Sequence, residues 1–107
     1  MAPGTVLHEG MTITRGAWIL IPDHSSSLQI AYVRDVVEQQ DGEVALHISA
    51  FDAASVLGRL DGIPFAYLDS LKSGGIERVI PSIANVAGIT ILLPIEDKDK
   101  VSFVEQP

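Results

Sequence analysis

Apolar and polar residues alternate most regularly between Leu28 and Phe51, where two runs rich in β-branched residues flank Gln40-Asp41-Gly42. Asp-Gly between such runs is a strong short-range hairpin signal and predicts an antiparallel pair over 28–39 and 43–51. In the second arm Val44, Leu46, Ile48 and Ala50 alternate with Glu43, Ala45, His47 and Ser49. A period of two with one apolar face places one side on a core and the other near water. The first arm changes phase: Leu28, Ile30 and Tyr32 share one face, Val33 and Val37 belong to the other, and Val36-Val37 breaks the count. A β-bulge near Val36 restores the phase, because one extra residue swaps the faces. Two turns fit. A two-residue Asp-Gly loop pairs Val37 with Leu46, and a three-residue loop with a left-handed Gly42 pairs Val36 with Leu46.

Before the hairpin, Thr5–His8 and Met11–Thr14 read as strand pieces split by a turn at Glu9-Gly10, and Arg15-Gly16 is a further break. Ala17–Ile21 is a continuous apolar run, as expected of a strand buried on both faces or of one whose outer face meets a partner. Pro22–Ser27 reads as a polar loop. After Phe51, Asp52 can cap a short helix through Ala53–Leu57, and Pro64 suits the first position of a second. Phe65, Leu68 and Leu71 then form an apolar stripe that ends at Ser73-Gly74-Gly75. Ile76–Ile80 alternates as a strand closed by Pro81, and Ser82–Ala87 carries no clear pattern. Ile89–Leu93 is a strand, Glu96–Lys100 a charged turn, and Val101–Val104 a last strand.

Many short strands, frequent turns and one or two short helices predict a mainly β domain: a small, strongly bent antiparallel sheet or a partly open barrel. In size and strand rhythm, residues 5–51 resemble the small SH3-like barrels in general. With 107 residues the chain is read as one domain, 1–107, with frayed ends at 1–4 and 105–107.

Composition narrows the occupations. The chain is 47% hydrophobic with 20% charged residues, so self-association is expected of so apolar a small domain. The absence of cysteine removes disulfides, thiolate metal sites and thiol nucleophiles. A net charge of −7, with its seven basic residues scattered, argues against nucleic-acid binding, which needs clustered Lys and Arg. The N-terminal stretch has no basic region followed by an apolar run, as a signal peptide would. Val79–Ile95 is uncharged but too short to span a bilayer, and Pro81 and Pro94 interrupt it. The expectation is a cytoplasmic protein that binds neither nucleic acid nor membrane.

Candidate chemistry is sparse. Asp23-His24-Ser25 holds triad residue types in a row, but neighbours in sequence do not converge as a relay requires, and no nucleophile elbow is present. His24 is the best single candidate for acid–base work. His8, His24 and His47 lie on three predicted elements without ligand spacing, so no metal site and no cofactor are predicted. Asp97 and Asp99 after Glu96 lack the glycine and distal glutamate of a calcium loop. Asp35, Glu38, Asp41 and Glu43, with no basic residue in the cluster, read as a solvated acidic tip that can also receive a basic partner or a cationic ligand.

The expected function is therefore a non-enzymatic protein-interaction module, a homo-oligomer that also meets another protein. Ile89, Ile91 and Leu93 are the candidate self-association residues, because an uncharged β-prone run on an open edge invites pairing. Burial of that run inside the monomer is the competing reading. The alternative function is a small-molecule binder or small enzyme with an aromatic-lined pocket near 61–75, walled by Trp18, Tyr32, Phe65 and Tyr67.

Overall fold

The computed structural model describes residues 4–22, 28–52, 57–60, 63–67, 71 and 75–105, with backbone alone for 28, 52, 57–60 and 63–67. A hairpin of β1 (Thr5–His8) and β2 (Met11–Thr14) forms a sheet of its own. The second sheet comprises β3 (Trp18–Pro22), β4 (Leu28–Glu38), β5 (Val44–Asp52), β6 (Leu57–Leu60), β7 (Ile63–Tyr67), β8 (Ile76–Ile80), β9 (Thr90–Asp97) and β10 (Lys100–Glu105). Its spatial order is β6-β7-β10-β9-β3-β4-β5-β8, antiparallel throughout. The end strands β6 and β8 do not pair, so no barrel closes. Small, mainly β and antiparallel is the architecture expected from the strand rhythm.

The β4–β5 hairpin chooses between the two turns. Val36 lies opposite Leu46, Val37 opposite Ala45 and Glu38 opposite Val44. Gln39 N–H donates to the Glu43 carbonyl at 2.8 Å, and Gly42 N–H donates back to the Gln39 carbonyl at 3.0 Å. Gly42 sits at φ 85°, where glycine has no Cβ penalty, so the loop is the three-residue form. The phase change falls at Arg34, between the pairs Val33–Ile48 and Asp35–His47, two residues before the expected place. It turns Val33 and Val36 to the same buried side. The β1–β2 turn is tighter still, with Glu9 at φ 50° and Gly10 at φ 78°.

Alternation along the strands builds a core on each face. Ile19 and Ile21 of β3, Ala31, Val33 and Val36 of β4, and Leu46, Ile48 and Ala50 of β5 form the larger one. Val6 and Ile13 press the β1–β2 hairpin onto it, and Ile83 and Ile89 join it from the segment that follows β8 in the chain. His8 straps this cover: its Nε2–H donates to the Val86 carbonyl at 2.7 Å. On the opposite face Ile30, Leu92, Val101 and Phe103 form a second core, with Trp18, Leu20 and Leu71 against it.

Of the two expected helices, the first lies mostly outside the described residues and the start of the second is corrected. Asp52 is the last residue of β5 and Leu57 the first of β6, with 53–56 outside the described residues. Pro64 and Phe65 lie in β7, a strand, and not at a helix start. Ile63, Phe65 and Tyr67 also alternate with period two, and the edge of β10 selects that reading by pairing with Phe65 to Tyr67. Pro64 precedes that pairing, where a missing N–H is tolerated. Among the described residues helical backbone is confined to a 3₁₀ turn at Ile83–Asn85 and to Leu71. No helix among them is long and apolar enough to cross a membrane.

Strand β9 changes partner midway. Thr90 to Leu92 pair with β3, and Leu92 to Asp97 pair with β10. Beyond Leu92 the β9–β10 pair becomes a wing. It turns Phe103 and Val101 back onto Trp18 and Ile30, so its other face points outward. Pro94 stands in the half of β9 that has no β3 partner, the sort of edge position where proline blocks further pairing.

Candidate functional site

Three surfaces deserve comparison: the aromatic cluster, the outer face of the wing, and the β8 edge. Trp18 and Tyr32 lie directly opposite each other on β3 and β4, their ring centroids 5.1 Å apart. Trp18 also meets Phe103 at 5.2 Å and Phe51 at 6.0 Å. Tilted rings at these separations are favourable contacts. Phe51 and Phe103 are buried, while Trp18 and Tyr32 are partly buried. Besides Tyr32, the rings beside Trp18 are Phe51 and Phe103, which the sequence did not single out as its partners. The strand phase held that signal: Phe51 follows Ala50 onto the face opposite Leu46 and Ile48. For the other two expected pocket walls, register places Phe65 opposite Ser102 and Tyr67 opposite Lys100, and their side chains lie outside the described residues. The structure joins Trp18 to Tyr32 as core-facing residues.

The three expected self-association residues part company. Ile89 is only 4% exposed inside the larger core, and Ile91 packs against the same core. Leu93 is 44% exposed. Ile95 follows two positions on, and Val104 lies directly opposite Leu93 across the β9–β10 pair, both exposed. Side chains opposite one another or two apart on one strand face are neighbours. Leu93, Ile95 and Val104 therefore form one contiguous apolar surface, where strand alternation turns all three away from Phe103.

The third surface is polar. The bulge at Arg34 brings its guanidinium to Ser49, donating to Oγ at 2.8 Å, with Glu77 of β8 at 3.8 Å. Arg15 reaches across to Asp35, donating from Nη2 at 2.7 Å and Nε at 3.1 Å. Asp35, expected as part of an acidic tip without a basic residue, is instead paired. The Arg15 hydrogen bonds, and then the Val36 N–H at 2.9 Å, hold its carboxyl below the ordinary aspartate range. A depressed carboxylate pKa stabilises the fold above the unfolded-state value and loses that contribution as pH falls through the folded value. Arg15→Ala is expected to return the Asp35 titration upward toward its ordinary range, read by carboxyl chemical shifts against pH. An unchanged midpoint would show that the Arg15 contact does not form in solution. Glu43, further along the tip, accepts from the Ser82 hydroxyl.

Strand β8 ends the sheet. Among the described residues nothing pairs with its outer side, and Ile76 is 72% and Val79 55% exposed. A shallow groove meets it on each face. One, of about 410 Å³, includes Ile21, Gln29, Ile80, Pro81 and Val86; the other, of about 380 Å³, includes Arg34, Asp35, His47 and Glu77. Arg78 and Val79 line both.

Of the histidines, His8 serves as the strap to Val86, with Glu9 at 3.5 Å, and His47 is exposed beside Asp35. His24, with Asp23 and Ser25, lies outside the described residues. No group of three or more His, Cys, Asp or Glu able to hold a metal ion occurs among the described residues. The charged turn before β10 places Lys98 at φ 58° between Asp97 and Asp99, the first position of a two-residue hairpin loop. No known protein family, no curated protein and no solved structure matches this chain.

Proposed function

We propose that this chain is a non-enzymatic protein-interaction module of the cytoplasm that self-associates through the outer face of the β9–β10 wing. The observation that carries the reading is the contiguous exposed surface of Leu93, Ile95 and Val104 on the β9–β10 pair of the large sheet. Its inner face is anchored by Phe103 in the aromatic core, so the outer face is presented without an ordering cost. The absence of cysteine accords with a reducing compartment. Leu93 thus takes over the role first assigned to the whole run, while Ile89 and Ile91 belong to the monomer's core.

A two-fold contact is the form such a surface favours, since one patch then serves both copies. Sedimentation velocity at micromolar concentration is expected to give a dimer mass. Leu93→Glu is expected to weaken the dimer by more than about tenfold, because a charge in the middle of a desolvated contact carries its full desolvation penalty. Far-ultraviolet circular dichroism of the variant should match the parent. A monomer mass across a wide concentration range, or a dimer indifferent to Leu93→Glu, would overturn the reading.

A further inference from the structure

We infer that the free edge of β8 is a docking site for an extended peptide of defined charge order, added antiparallel as a ninth strand of the large sheet. An exposed edge supplies a row of backbone donors and acceptors, and an added strand sends its side chains alternately to the two faces. Here each face offers a groove at the same place, because Arg78 and Val79 line both. Residues opposite Ile76, Arg78 and Ile80 fall on the side of the Ile21–Val86 groove. Residues opposite Glu77 and Val79 fall on the side of His47 and Arg34.

Charge complementarity specifies the occupant. The Glu77 side chain is 80% exposed, and among the described residues its near cation, Arg34, stands at 3.8 Å while bonded to Ser49. Arg78 donates to the neutral amide of Gln29, and among the described residues no carboxylate pairs with it. Asp35 is engaged by Arg15, and His47 is exposed on the same face. The fitting strand therefore reads, from its N-terminus and opposite Ile80 to Ile76, apolar-apolar-acidic-basic-apolar. The β8 edge of a second copy does not supply it. Outward-facing peptide groups alternate along an edge, so β8 pairs with itself only between positions of like parity. Glu77 and Arg78, the two charges of β8, differ in parity, so in no such register does either stand opposite the other. The partner is a different polypeptide.

This inference rests on the reading of the chain as an interaction module but uses a different surface. The test is titration of the isotope-labelled full chain, followed by backbone amide resonances, with two short synthetic peptides. One carries Val-Ile-Glu-Lys-Val at its centre and the other the charge-reversed Val-Ile-Lys-Glu-Val. The first is expected to shift the β8 and β5 amides and to bind about tenfold more tightly than the second, as two cross-strand charge pairs change sign. Glu77→Lys together with Arg78→Glu, both at exposed positions, is expected to invert that order. Equal binding of the two peptides, no shift in β8 at millimolar peptide, or shifts confined to the wing would overturn it. Leu93→Glu separates the two readings, because it disperses the dimer and is expected to leave peptide binding unchanged. Loss of peptide selectivity with an intact dimer would sink this inference alone.

Discussion

Replacing Phe103 by alanine is expected to remove about 3–5 kcal/mol of folding stability, the range for truncating a buried phenylalanine. Phe103 is 2% exposed and is the residue through which β10 reaches the aromatic core, 5.2 Å from Trp18 by ring centroids. Its loss empties the space between the wing and β3, and the strands around it have little freedom to refill it. A domain of this size has on the order of 5–15 kcal/mol in hand, so the variant should sit near the edge of folding. Urea denaturation followed by Trp18 fluorescence reads both the stability and the ring environment. Glu105→Ala, two residues on in β10 and exposed, is the control and should change stability by less than about 0.5 kcal/mol. A loss under about 1 kcal/mol for Phe103→Ala would mean that the wing does not pack on β3 as described.

Gly75→Ala should cost about 2–4 kcal/mol, although Gly75 itself is exposed. Two penalties combine there. The backbone is at φ 113°, a region that side chains rarely adopt, and an added Cβ would stand 2.9 Å from Cζ of Phe51. Phe51 is itself buried against Trp18 and cannot swing away freely. Gly10→Ala isolates the first penalty. Its φ is 78° and an added Cβ meets nothing within 4 Å, so only about 1 kcal/mol of backbone strain is expected. The difference between the two variants in one denaturation series measures the Phe51 contact, and equal losses would show that the ring yields without cost.

Local pattern and tertiary decision divide cleanly along this chain. Alternation in Val44–Ala50 and the Asp41-Gly42 signal were enough to place a hairpin and to turn Leu46 and Ile48 inward, because strand phase is a property of neighbouring residues. The turn length was open from sequence, since Val36 and Val37 each offer an apolar partner for Leu46. Packing of Val33 and Val36 on one core settled it, with the extra residue at Arg34. The 63–71 segment satisfied a helical spacing through Phe65, Leu68 and Leu71 and a strand spacing through Ile63, Phe65 and Tyr67. A short segment carries both periods, and pairing with β10 favours the extended one over Ile63–Tyr67, while Leu68 lies outside the described residues and Leu71 is helical.

The outer face of the wing and the β8 edge were the least legible part of the chain. Ile89 and Leu93 belong to one uncharged run, and no local feature separates them. One is core and the other surface because β9 leaves β3 at Leu92 and follows β10 outward. Ile76–Ile80 reads as an ordinary alternating strand, and its place at the end of the sheet depends on β9 crossing back to β3. Side-chain periodicity records which way a residue points relative to its neighbours in sequence. Whether anything is there to meet it is decided by strands brought in from elsewhere, which is why the hairpin could be read from the chain and the edge and wing could not.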